Sequence, residues 1–141
     1  SSDLGIVNRT YVLDAWVILS YLEGDSTTVD RLDDAVHEAS RGRRELAMSW
    51  LNLGEVEYIL RRREGTEEAR DILDLLQFLP IEYVEVTPER IHCAAEVKSG
   101  GGLSYADAFA VGLARERKAP ILTGDPEIVS LCSPEEVIDL S

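Results

Sequence analysis

Lysine is almost missing from this chain of 141 residues. Lys98 and Lys118 are the only two, so 12 of the 14 basic residues are arginine. Against them stand 27 acidic residues, for a formal net charge of −13. So large an acidic excess argues against a general nucleic-acid binder, because the phosphate backbone is itself anionic. A dense acidic surface poor in lysine suits a salt-rich cytoplasm. Cysteine is scarce too. Cys93 and Cys132 form no C-x-x-C pair, and His37 and His92 do not cluster with them, which argues against a zinc site or a disulfide framework. No run approaches ~18 apolar residues, so no membrane span is expected. The opening Ser1-Ser2-Asp3-Leu4-Gly5 lacks a basic region followed by an apolar stretch and does not read as a signal peptide. The expected compartment is a reducing cytoplasm.

What is present is an ordinary globular composition, 45% apolar and 29% charged, sized for one domain over residues 1–141. Strand-like runs alternate with helical stretches, the pattern of an α/β domain with a parallel sheet. Tyr11-Val12-Leu13 reads as a strand ending at Asp14, followed by a helix over Ala15 to Leu22. Thr27 to Ser40 reads as an amphipathic helix, and Glu45 to Ser49 as a second strand. A helix capped at Ser49 or Asn52 then runs to Arg63. Thr66 is expected to cap the next helix, which Pro80 closes. Ile81 to Val86 is a third strand, and Thr87-Pro88 starts a helix to Lys98. After three glycines, Ser104 caps a helix over Tyr105 to Arg117. Ile121-Leu122-Thr123 is a fourth strand, and Val137-Ile138 a weaker fifth.

Four acids stand at element junctions rather than on solvated faces. Asp14 follows the first strand, and Asp125 follows the strand ending at Thr123. Glu55 and Asp107 lie in the early turns of helices. In an open parallel sheet, residues just past the carboxyl ends of strands converge on one crevice. Each acid also has a plainer reading as a helix cap, a capping-box partner or a turn. Four ionised carboxylates in one pocket repel by roughly 1 to 4 kcal/mol per pair at ~4 Å. Either some protonate or a cation neutralises them. Hard oxygen ligands suit Mg²⁺ or Mn²⁺, and such an ion assists phosphodiester hydrolysis by lowering the pKa of water and clamping a phosphoryl oxygen.

Tyr11-Val12-Leu13-Asp14, Asn52-Leu53-Gly54-Glu55-Val56, Ser104-Tyr105-Ala106-Asp107-Ala108-Phe109-Ala110 and Leu122-Thr123-Gly124-Asp125-Pro126 resemble the four acidic motifs of PIN-domain ribonucleases. The size is similar to the VapC-type toxins of toxin–antitoxin pairs. The resemblance spans about Tyr11 to Ile128. It implies a three-layer α/β/α sandwich with a mostly parallel sheet. It implies that Asp14, Glu55, Asp107 and Asp125 bind Mg²⁺ or Mn²⁺, with Thr123 orienting a carboxylate or water. It further implies an RNA substrate, a homodimer and a cognate antitoxin. Where the family often has a small hydroxyl residue after the first acid, this chain reads Asp14-Ala15-Trp16.

The leading expectation is therefore a metal-dependent endoribonuclease, the toxin of such a pair. A housekeeping nuclease of RNA processing and a catalytically silent assembly module of the same fold stay open. A phospho-acceptor domain is disfavoured because Lys118 precedes its strand rather than following it, and an Asp-x-Asp phosphatase because Trp16 holds the second position. Trp16 is expected in the core, at an interface or against an RNA base. Trp50, Tyr58 and Phe109 are expected in the core or at an interface. The first helix, with Trp16, Leu19 and Tyr21, is the candidate dimer face together with the helix around Tyr58. The only basic clusters, Arg41-Gly42-Arg43-Arg44 and Arg61-Arg62-Arg63, read as a favourable helix end or as a phosphate track toward the acids.

Overall fold

The structure, a computed structural model, describes residues 9–141. The opening pentapeptide read for a signal lies outside the described residues. Among those described, no helix is long and apolar enough to cross a membrane.

Strands β1 (Thr10–Leu13), β2 (Glu45–Ser49), β3 (Ile81–Val84), β4 (Ile121–Thr123) and β5 (Val137–Asp139) form one sheet in the order β3-β2-β1-β4-β5. Every neighbouring pair runs parallel. Among the described residues, seven α-helices connect and cover them: α1 (Ala15–Leu22), α2 (Ser26–Ser40), α3 (Trp50–Glu64), α4 (Thr66–Leu76), α5 (Pro88–Ser99), α6 (Tyr105–Arg117) and α7 (Pro126–Leu131). A 3₁₀ turn, Pro134–Glu136, leads into β5.

The period-2 pleat divides the core between the two faces of the sheet. Leu13, Leu46, Met48 and Leu122 pack with Val17, Ile18, Leu32, Val56 and Leu60 of α1 to α3. Their strand neighbours Val12, Ala47 and Ile121 point the other way, against Val111, Leu113 and Ala114 of α6 and Ile128 of α7. The result is the α/β/α sandwich. Helix α6 is buried from Ala108 through Ala114 without interruption, as expected for a helix enclosed on all sides.

Most boundaries match the sequence reading, with three differences. Thr66 does not cap α4. It is the first helical residue, and Gly65, at φ 91°, precedes it without a side-chain cap. A glycine tolerates that left-handed backbone where a threonine does not. Strand β3 stops at Val84, two residues short. Of the turn and cap readings of Asp125, the cap holds: it opens a short helix, a third element boundary that the strand reading does not include. The aromatic expectations divide as well. Phe109 is core, but Trp50 and Tyr58 are exposed, by 45% and 52%. Trp16, Leu19 and Tyr21 of α1 lean partly on the core instead. The exposed aromatic surface of the expected interface thus belongs to α3 rather than α1.

Candidate active site

With every strand parallel, all strand ends that lead into helices lie on one edge of the sheet. The chain steps from β1 outward to β2 and β3, then crosses back to β4 on the other side of β1. The gap between the ends of β1 and β4 is therefore the point where the topology reverses, the usual place for a crevice in such sheets. Asp14 and Asp125 immediately follow those two strands.

Asp14 performs two tasks. It caps α1, accepting the Val17 N–H at Oδ1 over 3.0 Å. Its other oxygen, Oδ2, accepts the hydroxyl of Thr123 at 2.5 Å. Thr123 Oγ1 in turn accepts the N–H of Asp125 at 3.0 Å. A buried hydroxyl thus links the first acid to the fourth across the β1–β4 pair. Asp125 Oδ1 caps α7 through the Glu127 N–H at 2.9 Å. The capping readings and the site reading of these acids are compatible, because each carboxylate oxygen carries two lone pairs and a single hydrogen bond uses one of them.

Glu55 lies in the second turn of α3, whose cap is Ser49, accepting the Leu51 N–H at 3.1 Å. That removes the capping-box reading of Glu55 with Asn52. Asp107 lies in the first turn of α6, where Ser104 Oγ accepts its N–H at 3.1 Å. Asn52 ties these helices together: its Nδ2 donates to the carbonyl of Ala106 at 2.9 Å. Asn52 is fully buried, and neither its Oδ1 nor Oε1 of Glu55 has a hydrogen-bond partner.

Three of the acids are raised, each in part by the charge of its neighbours. Burial pushes the Asp14 carboxyl up to about 7, and the charges of Asp107 and Asp125 push the same way against the hydrogen bonds from Thr123 and Val17. Asp107 is raised to about 6 by burial, then by Asp125, with Glu127 adding to it. Glu55 is raised by burial and by Asp107 and Asp125, while the Asn52 side chain works the other way. No ion pair among the described residues includes any of the four. Glu127, in the first turn of α7, is a further acid in this field that sequence reasoning passes over; its only signal is its place two residues after Asp125.

Close packing supports the β4 end. A Cβ on Gly124 would lie 2.3 Å from Cη2 and 2.4 Å from Cζ2 of Trp16. The indole, two residues after Asp14, lies directly on the backbone between Thr123 and Asp125. This is the position where the resemblance departs from its family, and the ring occupies the space against Gly124.

Among the described residues, no three His, Cys, Asp or Glu side chains are already closed around a common point. Mg²⁺ keeps several of its waters and takes one or two carboxylates directly. A half-open group of acids, with one buried carboxylate oxygen lacking any donor, fits a hydrated ion of that kind.

The PIN domain family model matches residues 11–133. The chain belongs to the PIN domain family. It is similar in fold to the VapBC2 complex of Rickettsia felis bound to a DNA fragment from its promoter. There the identity is 14%, the TM-score 0.71, and the match covers 92% of this chain and 98% of the other. It is similar also to DNA-bound VapBC of Salmonella typhimurium, with 16% identity, TM-score 0.69 and coverage of 94% and 98%. A third similar structure is VapC20 of Mycobacterium tuberculosis, described as a toxin that cleaves the sarcin-ricin loop. It shows 17% identity, TM-score 0.65 and coverage of 87% and 96%. No curated protein matches the chain. The PIN fold explains why the acids of this chain arise in four separated motifs: each motif sits where a strand or loop passes into a helix at the same edge.

Proposed function

We propose that this PIN domain is a divalent-cation-dependent endoribonuclease, the toxin of a toxin–antitoxin pair. The observation that carries the reading is the set of Asp14, Glu55, Asp107 and Asp125 at the reversal point of the sheet. Burial, then the charges of Asp107 and Asp125, raise the proton affinity of Asp14 and Glu55, and burial, then Asp125, that of Asp107, and no cationic side chain among the described residues pairs with the four. Such a set is poised for an added cation, and binding it releases protons.

Asp14, Glu55, Asp107 and Asp125 would hold Mg²⁺ or Mn²⁺. When bound, the ion polarises a phosphoryl oxygen and eases the loss of a proton from water. Thr123 keeps Asp14 in one rotamer by donating to Oδ2, and it fixes the Asp125 backbone by accepting its N–H. Trp16 closes the β4 side of the crevice.

RNA is the expected substrate, and the approach to so acidic a chain depends on arginine. Arg44 is engaged already, paired with Glu38 at 2.6 Å and lying over the ring of Tyr11 at 3.7 Å. The last turn of α3, Arg61 to Arg63, is the better phosphate contact. It lies about 9 Å along the helix from Glu55 at 1.5 Å per residue. The similar VapBC structures support a cognate antitoxin as the protein partner. The exposed Trp50, Tyr58 and Phe78 support a homodimer. The free thiols of Cys93 and Cys132 fit a reducing cytoplasm.

The test is cleavage of single-stranded RNA by the purified chain in Mg²⁺ or Mn²⁺, with EDTA stopping it. Asp107→Asn is expected to abolish cleavage, retain RNA binding and leave the fold intact. A wild-type chain that binds the metal but cuts neither structured nor unstructured RNA overturns the reading.

A further inference from the structure

Asn52 stands out as the one buried amide at the junction of α3 and α6. Its orientation is not free. The Ala106 carbonyl can only accept, so the amide must present Nδ2 to it, at 2.9 Å. Flipping the amide would set two acceptors against each other. The Oδ1 atom therefore points away from Ala106, and there it finds no donor. Glu55, one turn later on α3 and on the same face of the helix, has a buried Oε1 that also finds no donor. The Asn52 side chain, whose one donor is Nδ2, eases the Glu55 carboxyl back down by hydrogen bonding, so the two side chains are within reach of each other, while Oε1 itself has no donor.

Two buried acceptors one turn apart on the same helix face, each without a donor, are an unusual arrangement. Buried polar atoms are almost always paired, and each exception calls for an explanation. A purely structural staple between α3 and α6 explains Nδ2 and leaves Oδ1 without a role. An apolar side chain would avoid that unpaired oxygen altogether. What satisfies both oxygens at once is a positive centre or its water.

We propose that Asn52 is a site residue of this chain: its unpartnered Oδ1, one turn before Glu55 on the same face of α3, supplies a neutral oxygen to a hydrated divalent cation, while its Nδ2 anchors the turn that carries Asp107. The inference rests on the cation-dependent reading above and adds a fifth, uncharged group to it. A neutral oxygen strengthens the hold on the ion without adding to the repulsion among four carboxylates. The anchor keeps the α6 acid at a fixed distance from the α3 acid before any ion arrives.

The test is Mn²⁺ titrated into the full chain, with free Mn²⁺ followed by electron paramagnetic resonance and folding checked by thermal melts. Asn52→Leu keeps the volume and removes both the oxygen and the Nδ2 donor to Ala106. It is expected to weaken Mn²⁺ binding by about 10- to 100-fold, the range typical for removing a group that supports a metal site. Cleavage is expected to recover in excess Mn²⁺. Asn52→Asp loses the donor to Ala106 just as Asn52→Leu does but keeps an oxygen, and is expected to bind Mn²⁺ more tightly than Asn52→Leu. A folded Asn52→Leu chain with wild-type affinity overturns the proposal, as does an Asn52→Asp chain that binds no more tightly than Asn52→Leu. Should Asn52→Leu fail to fold, Asn52→Ala takes its place in the comparison. Asp107→Asn separates the two readings. If it loses Mn²⁺ while Asn52→Leu retains it, only the role of Asn52 falls. If the wild type takes up no Mn²⁺, the cation-dependent reading falls and this one with it.

Discussion

Thr123 donates its hydroxyl to Asp14 Oδ2 from 109 residues away in the chain, and the same hydroxyl oxygen accepts the Asp125 N–H. One fully buried side chain thereby sets two acids that follow different strands. Thr123→Val preserves the shape and removes both bonds. It leaves Asp14 Oδ2 without a donor and the Asp125 N–H without an acceptor, and each such group costs ~1–3 kcal/mol. The expected outcome is a stability decrease of about 2 kcal/mol or more by denaturant titration, with cleavage reduced. Thr123→Ser restores most of both. A Thr123→Val chain as stable as wild type would show that the hydroxyl is incidental.

The raised acids dictate an inverted pH response. Asp14 in the folded chain takes up its proton near 7, whereas unfolded it does so near 3.8. Between those values the folded state binds more protons, so stability falls as pH rises. Asp107, raised to about 6, acts in the same direction. The carboxylates lowered by arginine pairs, Glu82, Glu116 and Glu136, act the opposite way. Their effect is confined to pH near and below their ordinary value of 4.5. The melting temperature in EDTA is therefore expected to rise as pH drops from about 7.5 to about 5.5. Asp14→Asn, which still caps α1 but carries no charge, should flatten that slope and raise stability at the upper end of the range. Mn²⁺ at that same pH should raise the wild-type melting temperature and have less effect on the variant. A wild-type chain that becomes less stable on acidification over this range contradicts the assignment.

Gly124 and Trp16 form a second contact that the site depends on. A methyl group at Gly124 would overlap the indole ring, 2.3 Å from Cη2, and Trp16 packs against the core cluster beneath α1 to α4. Gly124→Ala is expected to destabilise the chain by ~1–3 kcal/mol through overpacking. Trp16→Leu combined with Gly124→Ala should recover part of that decrease. A coupling energy well above the additivity error of ~0.5 kcal/mol in a double-mutant cycle is the signature. Strict additivity would mean that the ring moves aside freely.

The contrast between what sequence discloses and what it hides follows from range. The four acids are legible because each accompanies a local signal, such as an apolar run, a Ser cap or a proline. The strands and helices carrying them are legible for the same reason. The weak Val137-Ile138 run gains its support in space, from its register beside β4, with Leu122 opposite Ile138. Three features leave no local trace. The Thr123–Asp14 bond spans the chain, and the Ala106 carbonyl that orients Asn52 is 54 residues away from it. The fit of Trp16 on Gly124 depends on β1 and β4 being neighbours. Thr66 misleads for the opposite reason. Its local cap signal is good, but Gly65 has already taken the left-handed turn. The aromatics Trp50 and Tyr58 leave core and interface open by type; α3 turns them outward, and Trp50 rests its ring on Tyr83 at 5.3 Å.

The last turn of α3 tests how RNA reaches so acidic a molecule. Arg61 is paired with Glu57 at 2.8 Å and Arg63 with Glu23 at 2.8 Å. Both pairs are exposed, and such pairs are worth ~0–1 kcal/mol, so a phosphate can compete for either arginine. Arg62 enters no ion pair among the described residues. It meets a phosphate without first giving up a carboxylate. Neutralising all three to glutamine is expected to weaken RNA binding and flatten its salt dependence. The slope should fall by roughly 0.7 log units per log unit of salt for each phosphate that an arginine no longer neutralises on a single strand. Arg62→Gln alone should reduce affinity more than Arg61→Gln, because Arg61 must first release Glu57 before it can meet a phosphate. Mn²⁺ binding should be unchanged in all of these variants, because the arginines lie a helix turn and more beyond Glu55. Removing the helix-end cations should cost the fold only ~0.3–1 kcal/mol. Fluorescence anisotropy of a labelled RNA across a salt series, in Ca²⁺ or with Asp107→Asn to prevent cleavage, reads the slope directly. If the triple variant keeps both the affinity and the slope, the phosphates are held elsewhere on the chain, and the cluster serves only to close α3.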